Sequence, residues 1–157
     1  MKRFLSIALF LIAASLLGAD NPFLGTWKLN TAKSKSSPTP VPQSLTVKFE
    51  ADGENVRRTA TGIDGEGKPI MQGGPEGSSI AWDGKDYAVQ APDGPPMTVA
   101  VKRVNDNRND VTVKRDGKVT VTIRSVVSKD GKTITNTVDG VDEKGEKFHA
   151  VEVLEKQ

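Results

Sequence analysis

The chain has 157 residues, with 22 Lys and Arg against 20 Asp and Glu, one histidine and no cysteine. Disulfides and thiolate metal centres are therefore excluded, and a fold built from this sequence rests on packing and hydrogen bonding alone. Lys2 and Arg3 precede an apolar run from Phe4 to Leu17, and Leu17-Gly18-Ala19 supplies a small residue at a cleavage position. This pattern predicts a signal peptide over 1–19 and a single domain over 20–157. The apolar run is too short for a comfortable membrane span, so no stable span is expected after cleavage. Cleavage removes both cations of the signal, leaving 20 charges of each sign and a formally neutral domain. A nucleic-acid partner needs a basic face, which this balance does not provide. Export to the periplasm or beyond, in a bacterium, is the expected location.

In chain order, Gly25-Thr26-Trp27 opens the first strand, and residues 31–43 form a polar, proline-rich connection. Leu45, Val47 and Phe49 then alternate with polar neighbours, as one face of a strand does. Residues 64–78 and 91–96 are rich in glycine and proline and read as loops, either plain connections or lids over a barrel mouth. Asp-Gly recurs at 52, 64, 83, 93, 116, 130 and 139, a turn signal between alternating segments. Trp82 and Tyr87 flank one of these turns and are expected to pair across a hairpin, where they either pack the ribbon or grip an apolar ligand.

From Asp110 onward, turn lengths set a register. A four-residue loop at Ser128–Gly131 places Val121 opposite Val138 and Ile123 opposite Asn136. A turn around Glu143-Lys144 places Val153 opposite Ile134, and His149 opposite Val138 on the apolar face. Asp116–Lys118, read as a type I turn closed by a bulge at Gly117, places Val113 opposite Val121. A four-stranded meander over 110–155 follows. The whole chain is predicted to be all-β: one small antiparallel up-and-down barrel of about eight to ten strands, partly open because no helical pattern follows the last strand.

Ser125, Asn136 and His149 fall on the inner face of that meander. They are either an internal hydrogen-bond network or the polar end of a ligand pocket. A single histidine without a cysteine gives no basis for a nucleophile with its base, or for zinc or haem ligation, and no cofactor is expected. Asn105–Asp110 clusters oxygen ligands but lacks the glycine and distal glutamate of a calcium loop. It reads as a polar turn.

Gly25-x-Trp27 at the first strand resembles the fingerprint of the lipocalins and their calycin relatives. The resemblance implies that Gly25 and Trp27 close one end of an up-and-down barrel. A wider resemblance, carried by Gly25-Thr26-Trp27-Lys28-Leu29-Asn30, Lys33-Ser34 and the tail from Ser128 to Gln157, is to a group of uncharacterised secreted bacterial proteins. It implies export and no particular activity. Two functions follow as expectations. One is a non-enzymatic carrier of a small apolar or amphipathic molecule, with Trp82, Tyr87, Ser125, Asn136 and His149 at its site. The other is an interaction or structural module of the cell envelope with an envelope protein as partner. An enzyme ranks third.

Overall fold

A computed structural model describes residues 21–89, 96–142 and 144–157. The expected signal peptide and the Asp93-Gly94 turn lie outside the described residues. Twelve strands and no helix occur among the described residues: β1 (Gly25–Leu29), β2 (Lys35–Ser37), β3 (Ser44–Asp52), β4 (Asn55–Ile63), β5 (Pro69–Gln72), β6 (Ser78–Ile80), β7 (Tyr87–Val89), β8 (Met97–Asn105), β9 (Arg108–Arg115), β10 (Lys118–Val127), β11 (Thr133–Val141) and β12 (Lys147–Lys156). Ten of them form one antiparallel path, β5-β4-β3-β1-β12-β11-β10-β9-β8-β7, while β2 pairs with β12 and β6 with β4. This is the up-and-down barrel expected from the alternation, with β1 set beside the last strand. Residues 31–43 and 64–78 are more than connections, since they contribute β2, β5 and the start of β6.

No ladder joins β5 to β7 among the described residues. Among the described residues, the strands are joined across this gap at one end. There β6 pairs with β4 through Val56↔Ile80, and the chain crosses at once to the far edge. Asp83 bridges Lys102 on β8, and the Gly84 amide donates to the Val101 carbonyl at 2.9 Å. Residues 78–84 are thus a strap across one end, and no described residue bridges the other.

The core fills the strapped end. Trp27 is fully buried, with Phe23 at 2 % and Leu154 at 1 % exposure. The Trp27 indole Nε1 donates to the Phe23 carbonyl at 2.7 Å, which ties the entering chain to the first strand. Leu29, Leu45, Val47, Ala60, Val127 and Ile134 complete the plug. The Lys156 ammonium stands 5.0 Å from the Trp27 ring centroid, in cation–π range.

The meander is present, with corrections to its register. Val113 does face Val121. The turn is Asp116-Gly117, both with positive φ (49° and 73°), and the extra residue sits at a bulge between Val119 and Val121. The β10–β11 loop is two residues longer than read. Ser128 and Asp130 accept the Lys132 amide, and the Ser128 hydroxyl also accepts the Thr133 amide, so pairing starts at Val127↔Ile134 and Ile123 faces Val138.

The β11–β12 loop has an odd length, Asp142 to Glu146. The Asp142 carboxylate accepts the Lys144 and Glu146 amides, and Gly145 takes φ 83°. One added residue turns the whole strand over. Phe148, Ala150, Glu152 and Leu154 face inward, while His149, Val151 and Val153 face outward, opposite Asp139, Thr137 and Thr135.

Trp27 fixes the closed end by bulk and by its one hydrogen bond. Trp27→Phe is expected to cost about 1–3 kcal/mol, the penalty of a buried carbonyl left without a donor. Trp27→Ala is expected to cost about 3–5 kcal/mol. Urea unfolding of the two variants checks both values and their order.

Candidate functional site

Strand alternation would make the inner face uniformly apolar, yet one in-register row across it is polar. Asn109 pairs with Ser125, Ser125 with Asn136, and Asn136 with Glu152, on β9, β10, β11 and β12. The Ser125 hydroxyl donates to Asn136 Oδ1 at 2.7 Å, and Asn136 Nδ2 donates to Glu152 Oε2 at 3.3 Å. At the far end, Asn109 is only 3 % exposed and its Oδ1 has no hydrogen-bond partner. Donors therefore point one way along the row, toward the Glu152 carboxylate.

Across the barrel, β4 sends Arg58 inward between Val56 and Ala60, both buried. Its guanidinium donates to Gln72 Oε1 at 3.0 Å. Desolvation lowers the Arg58 pKa, partly offset by the charge of Glu152. Burial pushes the Glu152 carboxyl up, against the Asn136 hydrogen bond and the Arg58 charge, which both pull it down. A cation on β4 and a carboxyl on β12 thus both face inward, each half-buried, with no salt bridge between them among the described residues.

Around this polar row the walls are apolar and incompletely covered. Val99, Val111, Val113, Val121 and Ile123 are only half-buried although they face inward. A cavity of about 140 Å³ opens beside Glu152, walled by Val41, Val138, Phe148 and Ala150, with Lys35 also lining it. Phe148 reaches this position by lying across Gly140, where a Cβ would meet its ring at 2.5 Å. A second cavity, of about 170 Å³, lies near the strap between Asn21, Val56, Trp82 and Arg103.

Ser125 and Asn136 face inward as the alternation predicts, and they pair with each other rather than Asn136 with Ile123. The other three candidates do not join them. Trp82 does not pair with Tyr87. It packs edge-to-face on Phe23 at 5.4 Å and Phe49 at 6.0 Å, because its place in the strap turns it into the plug. Tyr87 pairs with Val99, and its hydroxyl donates to Asp83 Oδ2 at 3.0 Å. His149 is on the outer face, 2.7 Å from Asp139 Oδ1, with its side chain 56 % exposed. Gly25 and Trp27 are on β1, with Gly25 opposite Phe49 and Trp27 in the buried cluster. Asn105–Asp110 is a tight β8–β9 turn in which Arg108 holds Asp110 through two hydrogen bonds.

Asn109, Arg58 and Glu152 were missed by sequence reasoning. A signal for Arg58 existed: in an alternating strand, adjacent Arg57 and Arg58 cannot both face water. Arg57 takes the outer face and pairs with Asp52 at 2.7 Å.

No family model matches the chain, and no curated protein does. Solved structures do. A Schistosoma mansoni fatty acid binding protein in complex with arachidonic acid is 18 % identical, with a TM-score of 0.59, covering 89 % of this chain and 99 % of that one. The extracellular fatty acid binding protein As-p18 is 13 % identical, with a TM-score of 0.55, covering 87 % and 97 %. Zebrafish ileal bile acid-binding protein with cholic acid is 11 % identical, with a TM-score of 0.53, covering 87 % and 99 %. At these identities the likeness establishes a calycin-like barrel fold.

The row makes opposite predictions at its two asparagines. Asn136→Leu strips partners from both Ser125 and Glu152 and is expected to cost about 1–3 kcal/mol. Asn109→Leu removes an oxygen that has no partner and is expected to hold or raise the urea midpoint. Denaturant curves of the two variants give the comparison.

Proposed function

We propose that this is an exported, non-enzymatic carrier that holds a small amphipathic molecule against the inner face of its half-open barrel. The observation that carries this reading is the in-register row Asn109–Ser125–Asn136–Glu152 crossing a half-covered valine face. Buried polar groups cost stability unless they are hydrogen-bonded, and binding sites join apolar walls to a few placed polar groups. The apolar part of the ligand lies along Val99, Val113, Val121 and Ile123, and its polar end meets Asn136 and Glu152. Drug-sized ligand pockets run to roughly 300–1,000 Å³, so neither cavity alone holds such a molecule. The open side between β5 and β7 gives the room that the cavities lack. The neighbours named for binding fatty acids and a bile acid add support through the shared barrel. Export rests on the signal pattern over residues 1–19.

The edges of β5 and β7, which pair with no further strand among the described residues, favour a second reading, a module that takes a strand of an envelope protein. Native mass spectrometry of the protein purified from its own cell envelope separates the two. A mass excess of roughly a few hundred daltons, lost on denaturation, is expected for the carrier. A co-purified polypeptide marks the module.

With an uncharged apolar fluorophore, Asn136→Leu is expected to change affinity by about tenfold or more, while His149→Leu, on the outer face, binds as the wild type does. Fluorescence titration checks this. Equal affinities in all three proteins would place the ligand away from the row.

A further inference from the structure

The polar row has a direction, and that direction decides which head group can end it. The Ser125 hydroxyl donates to Asn136 Oδ1 at 2.7 Å, and Asn136 Nδ2 donates to Glu152 Oε2 at 3.3 Å. Glu152 accepts no further hydrogen bond among the described residues, so the row ends on an acceptor. At the opposite end, the partnerless Asn109 oxygen is an acceptor too. We infer that the carried molecule is an amine, whose protonated head group sits on the Glu152 carboxylate and whose apolar body, about the size of a benzene ring, fills the cavity beside it. This inference rests on the carrier reading above and names its ligand class.

Head and body are held by one wall. The cavity of about 140 Å³ joins Glu152 to Val41, Val138, Phe148 and Ala150. An apolar cavity of roughly 150 Å³ accepts benzene, so this one accommodates a single ring or a branched alkyl group of that size. Phe148, Ala150 and Glu152 are alternate residues of β12, and Val138 stands opposite Ala150 on β11. One pair of strands therefore fixes the distance between the apolar body and the carboxylate. An ammonium brings three N–H donors to that carboxylate, as charge-assisted hydrogen bonds. It also supplies the positive charge that favours ionised Glu152, against the burial that pushes this carboxyl up. A carboxylate head group would meet Glu152 as a like charge and bring no donor.

The other polar groups on the lining leave this role to Glu152. The Ser36 and Thr39 hydroxyls are bonded to each other at 3.2 Å and carry no charge. Lys35 also lines the cavity, but it stands opposite the outward-facing Val151 and is exposed, which places its ammonium on the outer face. Arg58 faces inward from β4, donates to Gln72 Oε1 at 3.0 Å and lines neither cavity.

The test uses three probes with one ring and different heads: benzylamine, benzyl alcohol and benzoate. Each is titrated into the protein at about pH 7, where the amine is protonated and the acid ionised. The amide chemical shifts of Val138, Phe148 and Ala150 give both the place of binding and the affinity. In the wild type, benzylamine is expected to bind about tenfold or more tighter than benzoate, with benzyl alcohol between them. Glu152→Gln keeps the size of the side chain and an oxygen that accepts from Asn136. It is expected to weaken benzylamine about tenfold and to leave benzyl alcohol within about twofold. Glu152→Asp, which keeps the charge, is expected to keep the order of the three. Benzoate binding as tightly as benzylamine overturns the inference, as does an undiminished amine preference in Glu152→Gln or a wild type in which no probe moves these amides. If the uncharged fluorophore still binds in those cases, the carrier reading stands without it. If the fluorophore does not bind either, the carrier reading falls as well.

Discussion

The aromatic plug at the strapped end is the constraint on which the rest of the barrel depends. Phe23, Phe49 and Trp82 meet edge-to-face at 5.4 to 6.5 Å, and Trp27 is locked beneath them by its bond to the Phe23 carbonyl. These rings come from the entering chain, from β3, from the strap and from β1. One cluster therefore ties the N-terminal half of the sheet to the segment that crosses to β8. Edge-to-face pairs add roughly 0.5–1.5 kcal/mol each beyond the area they bury. With no disulfide to hold the seam, this packing is what keeps 78–84 across the gap. It also concentrates the aromatic cluster at one end, so most of the inner surface of β8, β9 and β10 beyond it is covered by valines and Ile123.

That division of labour explains why the polar row is tolerated. A partly satisfied network inside a closed core is worse than an apolar core. Here the row crosses the sheet beside the plug, one inward position from Val127, Ile134 and Leu154, and borders a face that is only half covered. The Ser125–Asn136–Glu152 bonds satisfy three of its members, and Asn109 at the buried end does not find a partner for its oxygen. Strand register alone would be fixed more cheaply by valines, which fill the neighbouring positions. The row is therefore better understood as chemistry kept at some expense in stability.

How much of this was legible in the sequence turns on loop parity. Period-two alternation gave the strands, the antiparallel meander and the inward placement of Ser125 and Asn136, because those depend on short-range pattern alone. The β12 face depended on a single residue in a loop. Asp142-x-x-Gly145 builds a five-residue turn, with the aspartate capping two amides and glycine at positive φ, and Asp64 to Lys68 repeats it with Gly67. Read as an even turn, it reverses β12, brings His149 inside and hides Glu152. Trp82 was misplaced for a different reason. Its partners Phe23 and Phe49 are distant in sequence, and only the crossing of the strap brings them together.

The two charges inside the barrel then carry the electrostatic logic of the fold. In a stable closed core, a buried ion pair needs close contact and further hydrogen bonds to offset desolvation. Arg58 donates to Gln72 and Glu152 accepts from Asn136, but the two charges make no salt bridge with each other. A raised carboxyl pKa means that stability is greatest with Glu152 protonated and is lost as pH rises through its folded value, since the charged form is the one that burial penalises. Arg58 cannot relieve this by losing its own proton, because a guanidinium stays charged even when desolvation lowers its pKa. The inner face therefore carries a permanent cation on β4 and, on β12, a carboxyl that burial pushes toward its neutral form. Of the two, only the carboxyl can change its charge state with pH.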